Sequence, residues 1–155
     1  MRLVVAAVGR AKPGPERALF DHYCARLGWS LTLKEVEEKR PLPVLERMAR
    51  EGELLAAQIP PGAALVVLDE RGKPQDSLTF AAKLGAWRDD GRDVAFVIGG
   101  ADGHGEAMRG RADLLLSFGT MTWPHMLVRG MLAEQIYRAE CILSNHPYHR
   151  GRLAD

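Results

Sequence analysis

The sequence lacks the features typical of proteins built around structural metal sites or disulfide frameworks, and of proteins that span a membrane. It has only two cysteines in 155 residues, Cys24 and Cys141, and they show neither metal nor redox spacing. The apolar run at residues 3–8 is too short to span a bilayer and lacks the layout of a signal peptide. A formal net charge of +1 gives no overall field for nucleic acid. We therefore expect one cytoplasmic domain over residues 1–155, with any nucleic-acid contact made by local patches.

Strand-like and helix-like segments alternate along the chain. Short β-rich runs predict five strands, at residues 2–8, 31–36, 63–68, 94–98 and 114–116. Helical spacing predicts four helices, at residues 16–27, 43–58, 77–89 (capped by Ser77) and 124–143. This order predicts an α/β fold, with a mostly parallel sheet flanked by helices. Ligands of such sheets bind beyond the carboxyl ends of the strands, which indicates the loops after Leu68, Ile98 and Leu116.

The last predicted helix has apolar residues around most of its circumference. A helix of this kind must be buried on nearly all sides. In a chain this small, the burial can come from the core or from a subunit interface, and a symmetric homodimer is the default assembly.

Residues 99–105 hold four glycines directly after a β-branched strand. Such a loop can bring its backbone close to a ligand, or it can simply be a tight turn. The spacing is not a dinucleotide-binding fingerprint, and no lysine follows the glycines as it does in a phosphate-binding P-loop.

The segment 118–123 is uncharged and precedes a possible helix start at Pro124. By itself it favours a connecting loop with Trp123 in the core, although it could also form an apolar pocket wall. His125 and Arg129 are four residues apart, so a helix places them on one face. Near the start of a helix the dipole disfavours a protonated histidine, which would keep His125 able to accept a proton.

The tail at residues 145–150 combines an amide, two imidazoles, a phenol and a guanidinium. From Asn145 to Arg152 there are two arginines and two histidines and no acid, which makes this the local basic patch. Cys141, His146 and His149 fall one ligand short of a structural zinc site. No metal is predicted.

Four segments, in their order and spacing, resemble the ribosomal RNA large subunit methyltransferase H family. They are Leu68-Asp69-x-x-Gly72-Lys73-Pro74, Ile98-Gly99-Gly100-x-x-Gly103, Trp123-Pro124-His125-x-Leu127-Val128-Arg129 and Asn145-His146-Pro147-Tyr148-His149-Arg150. The resemblance covers essentially the whole chain, and the C-terminal motif is specific. One departure is that His104 and Gly105 stand where the family would have an apolar residue and a small polar helix start.

The resemblance implies a SPOUT-class fold whose C-terminal segment threads a trefoil knot. It implies a homodimer that uses S-adenosyl-L-methionine to methylate N3 of a pseudouridine in 23S rRNA on the assembled ribosome. The tail of one subunit would complete the site of the other. The implied cofactor contacts are Leu68, Gly99, Gly100, Gly103, Phe118, Gly119, Thr120, Met121, Thr122 and Trp123.

The implied chemistry needs a proton acceptor, because N3 of a pyrimidine imide is a poor nucleophile until its proton leaves. Our hypothesis is that His125, or Tyr148 and His149 of the tail, accepts this proton and that Arg129 stabilises charge on the adjacent carbonyl oxygens. The expected RNA contacts are His146, Arg150 and Arg152.

Two other functions are compatible with parts of the sequence. The main alternative is a non-enzymatic, ribosome-associated RNA-binding factor that uses the same basic tail. The other is a nucleotide-binding enzyme with phosphates on the glycine loop, and the absence of lysine from residues 99–105 argues against it.

Overall fold

Within residues 1–150 the sheet has five strands, and every pairing between them is parallel. The structure is a computed structural model that describes residues 1–150. The strands lie side by side in the order β2-β1-β4-β3-β5. Their bounds are Arg2–Val8 (β1), Ser30–Val36 (β2), Ala64–Pro74 (β3), Val94–Ile98 (β4) and Leu114–Ser117 (β5). The predicted α/β class is confirmed.

Helices cover both faces of this sheet. They are Pro15–Cys24 (α1), Val44–Ala56 (α2), Ser77–Asp89 (α3), Glu106–Arg111 (α4) and His125–Leu143 (α5). One face is buried by apolar side chains of α3 and α5, with α1 packed on α5. The other face is buried by α2 and α4. Both faces of the central strands are therefore apolar, as a parallel sheet requires.

The predicted elements differ from the observed ones mainly at their ends. The helix from residue 16 stops at Cys24 and does not reach residue 27. Helix α3 is capped by Asp76 and not by Ser77, because the Asp76 carboxylate accepts the Thr79 amide at 2.7 Å. Ser77 lies inside the helix and donates its hydroxyl to Gln135 Oε1 at 2.7 Å. The six-residue helix α4 was not predicted, since so short a segment shows no clear period.

Helix α5 is covered within a single chain. The structure describes all of its 19 residues, and none of them is fully exposed. Helices α1 and α3 pack on it, and its buried residues include Leu132, Ala133 and Ile136. The core therefore accounts for part of its apolar circumference, while Met126, Leu127 and Met131 stay partly exposed, and the predicted homodimer stays a prediction.

The end of β3 runs very close to β5. After Leu68 the register shifts, and pairing resumes with Lys73 beside Leu116. A Cβ atom on Gly72 would lie 2.5 Å from the carbonyl oxygen of Leu115. Only glycine fits this approach of two backbones. The trefoil knot implied by the resemblance stays a prediction.

This close approach predicts opposite effects for two glycine substitutions. Gly72→Ala places a methyl group against backbone that cannot move aside, and we expect a loss of about 2 kcal/mol or more in the free energy of unfolding. Gly52→Ala, in α2 with no atom within 4 Å of the added Cβ, should stabilise the protein by about 0.5–1 kcal/mol. Urea unfolding of both variants tests this. Equal stability of the two variants would contradict the close approach of the Gly72 and Leu115 backbones.

Candidate active site

A cavity of about 710 Å³ opens at the carboxyl ends of β3, β4 and β5. Its volume is typical of a small-molecule site, and its position is the one where α/β sheets bind ligands. The walls come from the second half of β3, from the segments that follow β4 and β5, from the start of α5, and from residues of α2 and α4. They include Leu68, Ile98, Gly99, Gly100, Gly103, His104, Phe118, Gly119, Met121, Thr122, Trp123, Pro124 and His125.

The glycine loop is both a tight turn and a wall of this cavity. The Gly103 amide donates to the Gly100 carbonyl at 3.0 Å, and Gly103 has a positive φ of 78°. A Cβ atom on Gly99 would meet the carbonyl carbon of Gly103 at 3.1 Å. Both interpretations of residues 99–105, a tight turn and a loop whose backbone can approach a ligand, are therefore compatible with this structure.

Glu51 of α2 supports this loop and was not predicted as part of the site. Its side chain is buried, and its carboxylate oxygens would lie 3.3–3.4 Å from a Cβ atom on Gly100. Burial, with the nearby Asp102, raises the pKa of Glu51. A single glutamate in an amphipathic helix carries no sequence pattern that would reveal this position.

His104 is buried beneath the loop. Only 5% of the residue is exposed, and its Nε2 has no hydrogen-bond partner among residues 1–150. Burial lowers the pKa of His104, and the charge of Arg109 adds to the effect, while Asp69 opposes it. The Arg109 guanidinium donates to the His104 carbonyl and lies 3.6 Å from Asp69 Oδ2. A neutral imidazole therefore occupies the position where the family would have an apolar residue.

The loop at residues 118–123 is held by its own hydrogen bonds. The Ser117 hydroxyl accepts the Gly119 amide at 3.0 Å, and Trp123 Nε1 donates to the Phe118 carbonyl at 3.3 Å. Thr122 donates its hydroxyl to Glu70 Oε2 at 3.2 Å. Trp123 is 41% exposed, so its predicted place in the core was wrong. Its indole instead lines the cavity mouth, because the loop closes on itself before α5 begins.

His125 begins α5 and lines the cavity. It is half-buried, and its Nε2 would lie 3.7 Å from a Cβ atom on Gly9, at the end of β1. Burial lowers the pKa of His125, and the charge of Arg129 lowers it further. The ring is therefore neutral at pH 7, as predicted, although burial is the main cause.

Arg129 does not line the cavity. It is 2% exposed, its Nη1 lies 2.6 Å from Glu35 Oε2, and its Nη2 donates to the carbonyls of Val8 and Gly9 at 3.2 and 2.9 Å. Burial alone would raise the pKa of Glu35, but the hydrogen bonds from Arg129 and from the Ala11 amide outweigh it and lower the pKa. This ion pair joins α5 to the ends of β1 and β2.

The tail lies on the other side of the loop at residues 118–123. His149 lines a second cavity of about 780 Å³, and Phe118 and Gly119 line both cavities. His146 and Arg150 are exposed, and Arg150 Nε donates to the Pro147 carbonyl at 3.3 Å. The predicted residue Arg152 lies outside the described residues. In one chain the cavity thus contains most predicted cofactor residues and His125, without Thr120, Arg129 or the tail.

Among residues 1–150, no three or more histidine, cysteine, aspartate or glutamate side chains are grouped so that they could hold a metal ion. Within that range, no helix combines the length and the apolar character needed to cross a membrane.

Comparison with known proteins defines the class of this chain. A family model described as "Predicted SPOUT methyltransferase" matches residues 1–149, so the chain belongs to that class. The crystal structure of the SpoU methyltransferase AviRb from Streptomyces viridochromogenes, in complex with AdoMet, superposes with a TM-score of 0.51 at 18% identity. The match covers 91% of this chain and 61% of that longer one, and it supports the fold alone.

Within this class, the chain belongs to the ribosomal RNA large subunit methyltransferase H family. It is 65% identical over 152 residues to the protein of that name from Rhodospirillum centenum, covering 97% of this chain and 100% of the relative. The Rhodospirillum rubrum protein is 62% identical over 152 residues, with the same coverage. The Paracoccus denitrificans protein is 57% identical over 158 residues, covering 97% and 99%. The family indicated by the four sequence motifs is confirmed.

The buried His104 predicts a pH dependence of stability. Because its folded pKa lies below the unfolded value of about 6.5, the unfolded chain binds the proton first, and stability falls as pH drops below about 6.5. His104→Leu removes this contribution, so its free energy of unfolding should fall less between about pH 7.5 and 5.5 than that of the wild type. The exposed His22→Gln serves as the control. Identical pH slopes for wild type and His104→Leu would contradict the assignment.

Proposed function

We propose that this protein transfers a methyl group from S-adenosyl-L-methionine to N3 of a pseudouridine in 23S rRNA. The observation that carries the proposal is the cavity at three parallel strands, which brings together residues of three of the four family motifs, among them the half-buried neutral histidine His125. The names of the relatives, ribosomal RNA large subunit methyltransferase H, support the same substrate class. We further propose that the protein acts in the cytoplasm on the assembled ribosome.

The cavity suits a ligand with an apolar ring and a positive charge better than a polyphosphate. None of its described lining residues is lysine, and its two arginines, Arg71 and Arg109, are outnumbered by four acids, Asp69, Glu70, Asp102 and Glu106. Arg109 is in addition engaged with Asp69 and the His104 carbonyl. Glycine backbone and the side chains of Phe118 and Trp123 offer amides and apolar surface for an adenine ring. We propose that the cofactor is held by Leu68, Gly99, Gly100, Gly103 and the loop at residues 118–123.

Bound S-adenosyl-L-methionine supplies an electrophilic methyl group, and the protein must supply position and a proton acceptor. N3 of the base has to lose its proton and then form the bond to the methyl carbon, while the electrons of the broken carbon–sulfur bond stay on sulfur. His125 can accept this proton because it is neutral and lies on the cavity wall. His149 is a second histidine to consider, since the loop that separates the two cavities lies between them.

Arg129 fits a positioning role better than the predicted contact with the reacting base. Its guanidinium is buried and bonded to Glu35 and to the carbonyls of Val8 and Gly9 at the end of β1. We propose that it holds the first turn of α5, and with it His125, against Gly9.

A homodimer would explain how the tail takes part. Within one chain, Tyr148 and His149 are absent from the lining of the first cavity. If they contact a base bound there, they come from a second copy, which is the assembly that the resemblance implies. We propose this arrangement, with His146, Arg150 and Arg152 on RNA phosphates around the shared site.

Transfer of labelled methyl groups tests the activity directly. Ribosomes from cells that lack this modification are incubated with the protein and methyl-labelled S-adenosyl-L-methionine, and we expect label at one nucleotide of 23S rRNA. A methyl group on N3 blocks base pairing, so reverse transcription stops at the modified nucleotide and its position can be read from the stop. Tight ribosome binding with no label in the rRNA would instead favour the non-enzymatic RNA-binding factor.

His125→Gln separates proton transfer from cofactor binding. We expect kcat to fall by about 10²–10⁴-fold, because glutamine cannot accept the proton. The Kd for S-adenosyl-L-methionine, measured by calorimetry, should change little, since the amide occupies nearly the same space. His22→Gln, on the exposed surface of α1, is the matched control. Wild-type kcat in His125→Gln would remove His125 from the mechanism.

A further inference from the structure

The tail is held on α5 by an acid, an arginine and an aromatic ring. Tyr148 donates its hydroxyl to Glu134 Oε1 at 2.9 Å, and its ring meets that of Tyr137 edge-on, with centroids 4.8 Å apart. The Arg138 guanidinium lies 4.8 Å from the Tyr148 ring centroid. The same Glu134 oxygen accepts Arg138 Nε at 3.0 Å and Nη2 at 2.6 Å. Contacts within one chain therefore fix the tail.

The remaining nitrogen of Arg138 fixes the tautomer of His149. Arg138 Nη1 lies 3.1 Å from His149 Nδ1. A guanidinium carries only donors and does not lose its proton in proteins, so Nδ1 must be the acceptor of this hydrogen bond. A neutral imidazole that accepts at Nδ1 carries its hydrogen on Nε2. His149 is thus held as the Nε2–H tautomer, which has one N–H left to donate.

This tautomer decides what His149 can do in the second cavity, which it lines beside Phe118 and Gly119. Its only unprotonated nitrogen is already engaged by Arg138, so the ring has no free site for another proton. Its Nε2–H can donate to an oxygen of a ligand. A pyrimidine that loses the N3 proton concentrates negative charge on the two neighbouring carbonyl oxygens, which are acceptors for such a donor.

Tyr148 is also a poor proton acceptor. Its hydroxyl is committed as a donor to Glu134. Burial and the hydrogen bond to Glu134 raise the pKa of Tyr148 well above its ordinary value. Neither Tyr148 nor His149 therefore has the form that a general base needs.

We infer that Arg138 is a positioning residue that fixes His149 as a hydrogen-bond donor to the substrate base, and that His125 alone accepts the N3 proton. The inference rests on the proposed methyl transfer. It assigns the role of proton acceptor to His125 and the role of hydrogen-bond donor to His149. Glu134 contributes to this positioning, because its carboxylate accepts hydrogen bonds from two nitrogens of Arg138 and so holds the arginine in place.

The tautomer can be tested without any activity. In protein labelled with ¹⁵N-histidine, long-range proton–nitrogen spectra distinguish the two neutral tautomers and the imidazolium. We expect His149 to show an unprotonated Nδ1 and a protonated Nε2 at neutral pH. In Arg138→Met this preference should be lost, whereas Arg88→Met, an exposed arginine on α3, should keep it. An Nδ1–H tautomer or an imidazolium in the wild type would overturn the inference.

Two substitutions of His149 then separate a donor from a base. A glutamine side chain keeps an N–H donor but cannot accept a proton, so His149→Gln should retain kcat within about tenfold, with an unchanged pH profile. His149→Ala, which has no donor, should lose about 10²-fold. If His149→Gln is as inactive as His149→Ala and loses the acid limb of the profile, His149 is the base and the inference is wrong. A wild-type protein without methyl transfer would refute the proposed function and leave the tautomer result standing.

Discussion

The arrangement of the candidate site depends on one buried guanidinium. Arg129 joins the first turns of α5 to the carbonyls of Val8 and Gly9 at the end of β1 and to Glu35 on β2. A charge this deeply buried is tolerated only when it is paired and hydrogen-bonded, and removing one partner of such a pair typically costs about 3–5 kcal/mol. The same contact brings a positive charge near His125 and helps to keep that ring neutral. Structure and chemistry are thus coupled through Arg129, although it does not line the cavity.

Backbone at the ends of three strands forms much of the cavity wall, and two buried side chains, Glu51 and His104, support the glycine loop. The glycine loop after β4 rests on the buried carboxyl group of Glu51 and on the neutral ring of His104. The loop at residues 118–123 separates the first cavity from the one beside the tail, since Phe118 and Gly119 line both. In the proposed homodimer, a substrate base in the first cavity would meet His125 of one subunit and a tail histidine of fixed tautomer from the other.

Much of the fold and of the cavity could be predicted from the sequence because the determinants are local. Runs of β-branched residues and helical spacing indicated the five strands and four of the helices, and Gly99, Gly100 and Gly103 directly follow a strand. What could not be predicted depends on contacts distant in sequence. Arg129 and Glu35 are 94 positions apart, and the Gly72 approach to Leu115 is made by backbone alone. The Trp123 side chain was placed wrongly for a local reason, because its indole donates to the Phe118 carbonyl five residues earlier and no spacing pattern in the sequence indicates that bond.

The central claim is that the cavity at the carboxyl ends of β3, β4 and β5 binds the methyl donor. Hydrogen–deuterium exchange of the protein, with and without saturating S-adenosyl-L-homocysteine, tests it at the level of single segments. We expect slower exchange of backbone amides at residues 98–105 and 117–124, with little change in α1, none of whose residues lines this cavity. Saturable binding that protects only residues 74–80 beside the second cavity, or no protection anywhere, would contradict it.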